Sequence, residues 1–202
     1  MFSPDLVRAS YERIREEVGP GVSVVAATKY VPLEGMQVLA QAGVPLVGEN
    51  RLQDLLAKHD RYGDAFRWHF IGHLQSRKAR EVSRLVELVH SLDSPSAARR
   101  LAVPALVEVN LSGEETKSGV APEELERFLA EVQALGVEVR GLMTMPPLAD
   151  DPEASRPYFR RLRELAEAHE LAQLSMGTSQ DYRVAAEEGA TLVRVGSRLF
   201  GG

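Results

Sequence analysis

Lys29 is an amine at the end of an apolar run: it follows Val24-Val25-Ala26-Ala27-Thr28, whose small last members leave space above it. Partial desolvation there disfavours the ammonium form, and a neutral amine attacks an aldehyde to give a Schiff base. A strand-end lysine that only reaches for solvent is the alternative this segment leaves open. Two later segments carry groups suited to an anion. Ser175, Met176 and Gly177 close one apolar run, and Gly196 with Ser197 closes another. Their backbone N–H groups, with the hydroxyls of Ser175 and Ser197, can converge on a phosphate. Arg194 sits between Val193 and Val195 inside an apolar run, so its guanidinium requires a partner. Asn50 follows Gly48-Glu49, where a backbone without a side chain admits a ligand closely, and its amide can bond a phenolic oxygen. An amine, a phosphate cradle and an inward arginine fit one ligand, a phosphorylated aromatic aldehyde. Arg194 would face its ring nitrogen, and a cation there keeps that nitrogen unprotonated, which suits limited chemistry or none.

Other polar residues near run ends have two readings each. Glu49 and His69 are either ligand contacts or satisfied groups behind them, and a hydrogen-bonded core role is favoured for His69 taken alone. Lys117 lies in the loop Leu111-Ser112-Gly113-Glu114-Glu115-Thr116-Lys117-Ser118, within reach of the same place or simply solvated. Met143 and Met145 can pack on a flat ring or on core. Asp181 fits a helix start, where a carboxylate offsets the macrodipole. The five histidines are poor metal ligands, His69 and His73 being separated by a glycine turn, so no metal is expected.

These residues acquire meaning from the elements that hold them. Short runs rich in Val, Leu and Ile predict strands over 22–28, 44–48, 67–71, 88–91, 105–110, 138–142, 173–176 and 191–195. Amphipathic stretches between them predict helices over 33–42, 51–60, 76–85, 95–102, 122–135, 153–169 and 182–188, after an N-terminal helix. Eight strand–helix alternations in 202 residues predict one compact domain over 1–202, an α/β fold of the (β/α)8 TIM-barrel kind with an extra N-terminal helix. A doubly wound open sheet is the competing fold, but no G-x-G-x-x-G follows the first strand. In a barrel, the ends of strands gather at one mouth, which would bring Lys29, Asn50, Arg194 and the glycine–hydroxyl segments together.

Composition narrows the partners. A net charge of −5 offers nucleic acid no basic field. The absence of cysteine rules out disulfides and thiolate sites and fits a reducing compartment. The charged N-terminal stretch lacks the apolar core of a signal peptide, and no stretch is apolar enough for a membrane span, so a cytoplasmic protein is expected.

The strings VVAATK, VGENRLQD, WHFIGHLQSRK, VEVNLSGEETKSGV, GLMTMPP, LSMGTSQDY and VRVGSRLFG, in this order, closely resemble the pyridoxal phosphate homeostasis protein family, relatives of the N-terminal barrel of alanine racemase. The match spans nearly the whole chain. The resemblance implies a pyridoxal 5′-phosphate-binding barrel with Lys29 as the Schiff-base lysine, Ser175 to Gly177 and Gly196 with Ser197 at the phosphate, and Arg194 at the ring. It also implies a role in vitamin B6 homeostasis. Lys117 matches the family's loop lysine. The chain departs from the pattern at Arg51, Arg77 and Thr178, and Thr178 adds a donor near the phosphate.

Racemases of this barrel type use a tyrosine from an appended β domain opposite the cofactor lysine. No residues here build that domain. A carrier that binds, buffers and delivers pyridoxal phosphate, possessing no catalytic residue, is therefore the leading reading, with pyridoxal-phosphate-requiring apo-enzymes as recipients and a monomeric state expected. A weak pyridoxal-phosphate-dependent amino-acid racemase is the alternative, and a Schiff-base aldolase without cofactor is a third.

Overall fold

A computed structural model describes residues 3–114 and 116–201 of the chain. It opens with helix α1 (Pro4–Val18), capped by the Ser3 hydroxyl, which accepts from the Leu6 N–H, with proline in its first turn. Eight strands follow: β1 (Ser23–Ala27), β2 (Leu46–Glu49), β3 (Arg67–Phe70), β4 (Leu88–Leu92), β5 (Ala105–Glu108), β6 (Val139–Met143), β7 (Gln173–Thr178) and β8 (Leu192–Val195). All neighbours pair in parallel in chain order, and β8 returns to β1, which closes the barrel. Between the strands lie α2 (Met36–Gln41), α3 (Leu52–Tyr62), α4 (Ala79–Val82), α5 (Pro95–Ala98), α6 (Leu125–Ala134), α7 (Arg156–Ala168) and α8 (Tyr182–Glu187). Several expected helices are shorter than their apolar pattern. The turns opening at Leu33, Ser76, Pro122 and Pro152 are 3-10 rather than α-helical, and the segment from Pro95 gives only four α-helical residues.

The pleat of each strand sorts its side chains into two compartments. Outward residues such as Val24, Ala26, Val47, Trp68, Val89, Val107, Leu142 and Val193 join the large core between barrel and helices. Inward residues Val25, Leu46, Leu88, Leu106, Met143 and Leu192, with Ile71 against them, form a separate, smaller cluster that fills the barrel. This parity decides what the polar residues can reach. Residues 25, 27 and 29 share one face, so Lys29 continues the inward row of β1. Arg194 shares the inward row of β8 with Leu192, while Val193 and Val195 face the helices.

Candidate functional site

At the C-terminal end of the barrel a cavity of about 760 Å3 opens to solvent. Its wall brings together Lys29 and Ala27 from the end of β1, Asn50 after β2, Glu108 at the end of β5, Arg194 and, from the loops after β7 and β8, a row of small polar residues. Five of the eight residues expected at the site line it: Lys29, Asn50, Arg194, Gly196 and Ser197. Lys29 itself is exposed rather than sheltered behind Ala26 and Ala27, and its Nζ lies 5.0 Å from the ring centroid of the exposed Tyr30. The ring face is an electrostatic partner for the cation. Asn50 is fixed by a close approach of backbone, since a Cβ on Gly72 would stand 2.2 Å from the Asn50 carbonyl oxygen. The Asn50 Oδ1 atom is buried with no protein partner among the described residues. A buried amide oxygen without a donor is costly, and it sits in the wall of a ligand-sized cavity.

Ser175, Met176 and Gly177 fall elsewhere, because β7 runs two residues past the expected strand end. Ser175 is inward but buried beneath the cavity. Met176 points to the outer core. Gly177 has φ of 90°, and a Cβ there would meet Ala185 Cβ at 2.5 Å, so its glycine serves the packing of β7 on α8. The residues that the same strand does deliver to the cavity are Thr178, Ser179 and Gln180. Asp181 holds their loop: its Oδ1 accepts from the Thr178 N–H at 2.7 Å and from the Thr178 hydroxyl at 3.0 Å. The expected capping carboxylate thus stabilises the turn ahead of α8 while its own helix N–H groups stay uncapped by it. Ser179 Oγ accepts from the Gly196 N–H at 3.0 Å, which ties the β7 loop to the β8 loop.

Below the cavity, Arg194 is buried, and its guanidinium donates to Ser175 Oγ, to the Thr144 carbonyl at 3.0 Å and to Met145 Sδ at 2.8 Å. Burial pulls its pKa down to about 10, opposed by the charges of Glu108 and Asp181, so it stays a cation at neutral pH. Ser175 Oγ lies 2.8 Å from His90 Nδ1, and His90 Nε2 lies 2.9 Å from His69 Nδ1. Burial holds both histidines low, His69 at about 4. His69 is thus a hydrogen-bonded core group, and the His69–His90 pair was missed in the sequence because 21 residues separate its members. The signal existed: both residues occupy the inward parity of β3 and β4. Glu108 closes the opposite wall, accepting from Ser118 Oγ at 2.9 Å, with its pKa raised by burial.

Glu49 is turned out of the barrel and is not in the cavity wall. It accepts from the Thr28 hydroxyl at 2.6 Å and from Lys58 Nζ at 2.5 Å, and Lys58 also donates to the Thr28 carbonyl at 2.8 Å. Lys58 was invisible in the sequence, since it reads as one more charged residue on a helix. Lys117 pairs with Glu114 at 2.8 Å in the loop after β5 and is not in the cavity wall. Among the described residues no cluster of three metal-binding side chains exists, and no helix is long and apolar enough to cross a membrane.

Fold and cavity define a (β/α)8 barrel with an amine-bearing, hydroxyl-lined mouth. The chain belongs to the family described as alanine racemase, N-terminal domain, whose model matches residues 3–202. It is 43% identical to the pyridoxal phosphate homeostasis protein of Aquifex aeolicus, over 94% of this chain and 93% of that protein. The protein of the same name from Deinococcus radiodurans is also 43% identical, over 89% of this chain and 88% of its own length. Among solved structures, PipY of Synechococcus elongatus with pyridoxal phosphate bound superposes with a TM-score of 0.87 at 32% identity, over 96% of this chain and all of that one. A lysine/ornithine decarboxylase of Vibrio vulnificus shares the fold, with a TM-score of 0.76 at 14% identity over 62% of its length.

Proposed function

We propose that this protein binds pyridoxal 5′-phosphate covalently at Lys29 and serves as a carrier and buffer of that cofactor in vitamin B6 homeostasis, without catalytic turnover. The observation that carries the reading is the lysine at the lip of a cavity whose far loops are lined by hydroxyls, in a chain whose relatives bear the name of pyridoxal phosphate homeostasis proteins. The residues present fit the group. Lys29 would hold the cofactor through its Nζ, and the chemistry that the group would supply there is an aldehyde able to condense with an amine, with loss of water. The Ser197 and Ser179 hydroxyls would hold the phosphate, in place of direct contacts from Met176 and Gly177, while Thr178 and the Gly196 N–H fix the two loops through Asp181 and Ser179. Asn50 finds in the phenolic group the partner that its amide oxygen lacks. Arg194 would face the ring nitrogen, positioned by its bond to Ser175, which acts through the arginine rather than on the phosphate. A cation at that nitrogen weakens the ring as an electron sink and favours storage over turnover.

A second reading, a weak amino-acid racemase, draws on Glu108, a carboxyl in the cavity wall on the strand opposite Lys29 in the eight-strand order. Delivery to pyridoxal-phosphate-requiring apo-enzymes, a monomeric state, a single domain and a cytoplasmic setting complete the proposal. Incubation with pyridoxal phosphate should give a yellow protein absorbing near about 420 nm. Borohydride reduction should then fix one cofactor mass on Lys29. A colourless protein ends the reading, and exchange of amino-acid α-protons in deuterated water at about 1 per second or faster transfers the case to the racemase.

A further inference from the structure

A second cavity, of about 350 Å3, lies at the opposite end of the barrel, where the strands begin. Arg67, His69, Glu87, Arg140 and Gln173 line it, next to the inward leucines at positions 46, 88 and 192. Three observations point to a ligand rather than to a plain surface dimple. Arg67 engages Glu87 through Nε at 2.9 Å and Arg140 engages Glu138 through Nε at 2.7 Å. Among the described residues no protein group takes the terminal amino groups of either guanidinium. Gln173 Oε1 is buried without a hydrogen-bond partner. The third observation is the row of hydrogen bonds that joins Arg194, Ser175, His90 and His69. An arginine only donates, so Ser175 Oγ accepts from Arg194; His90 Nδ1 is the one other partner of that hydroxyl among the described residues, and the arrangement that leaves no buried proton unbonded gives the Ser175 proton to it. His90, neutral by burial, carries its own proton on Nε2 and gives it to His69 Nδ1. His69, neutral for the same reason, is left with an Nε2–H, and it is the one member of this chain of bonds that lines the lower cavity.

We propose that the floor of the barrel is a second ligand site, for a small oxyanion that also bears a hydroxyl, of the hydrogenphosphate kind. Arg67 and Arg140 supply charge, His69 Nε2–H supplies a donor, and Gln173 Oε1 accepts the ligand's own hydroxyl. Each guanidinium keeps a carboxylate on its Nε, Glu87 for Arg67 and Glu138 for Arg140, so the site offers an anion the terminal amino groups left without a protein acceptor rather than a surplus of charge. The hydrogen bonds run without a break from this floor to Arg194, so the two cavities share one polar thread through an otherwise apolar barrel.

The test uses the full chain labelled with 15N in histidine, titrated with inorganic phosphate at constant pH and ionic strength. Long-range proton–nitrogen spectra should find both His69 and His90 protonated on Nε2, and the His69 ring should move saturably with phosphate. The Arg67→Gln/Arg140→Gln double variant, altered only at exposed side chains, should weaken that response at least about tenfold, the effect of losing charged hydrogen bonds. Filling the mouth with pyridoxal phosphate should leave the response in place. A proton on His69 Nδ1, a response linear in phosphate, a response unaltered in the double variant, or one abolished by filling the mouth would each overturn the site.

Discussion

Lys29 and Lys58 approach the first two strands from opposite sides of the barrel wall. Lys58 arrives from α3 on the outside, is buried, and is bonded to a carboxylate at 2.5 Å and a carbonyl at 2.8 Å. Lys29 lies on the inside, at the lip, with only an aromatic face near its Nζ among the described contacts. Thr28 joins them: its hydroxyl binds Glu49 and its carbonyl binds Lys58, so the peptide just before Lys29 is clamped from behind. The pair teaches that burial alone does not make a lysine reactive. Lys58 is tied to a buried carboxylate and turned away from the mouth, whereas Lys29 stands on a rigid base at the lip, where an electrophile can reach it.

The contrast can be broken most sharply at Lys29. Lys29→Ala should abolish the reduced cofactor adduct completely, read by intact mass, while the melting temperature stays within a few degrees of the parent. Next comes Lys58→Ala, which strands Glu49 in the wall and should cost about 3–5 kcal/mol in urea unfolding, yet leave adduct formation in the folded fraction intact. If Lys58→Ala removed the adduct at unchanged stability, the roles of the two lysines would have to be exchanged. Acid tests the inner face. His69 is held at about 4 in the folded protein against an ordinary 6.5, so the unfolded chain takes up a proton that the folded one refuses. Stability should therefore be full above about pH 6.5 and fall as pH drops towards 4, by about 3 kcal/mol from this residue, and His69→Gln should flatten that slope. The smallest effect is expected at Tyr30, which is 88% exposed. Tyr30→Ala removes a surface cation–π contact and should alter stability by no more than about 1 kcal/mol.

The strands were legible because a parallel barrel buries both faces and so writes near-continuous apolar runs. The inward arginine was legible for the same reason, as a charge with apolar neighbours on either side. Helix lengths were less so: the pattern over 95–102 is apolar enough for two turns, but the α-helix stops at Ala98 and the chain re-enters β5 at Ala105. The shift from Ser175–Gly177 to Thr178–Gln180 came from where β7 ends, and a run that continues Gly-Thr gives no apolar cue to its last residue. Relations between strands were the least legible. His69, His90 and Ser175 are bonded in a row, but their adjacency follows only from closing the cylinder, and nothing local to any of them announces it.

The ring of strands is completed by β8 against β1, in a register that sets Arg194 beside Val25, four residues before Lys29. The two sides of the mouth therefore come from the two extremes of the chain and meet along a single seam. During synthesis the amine emerges early and waits for more than 160 residues until its guanidinium neighbour arrives. A molecule that touches both would act as a clasp on that seam, and slower amide exchange along β1 and β8 on loading is where the clasp should be felt.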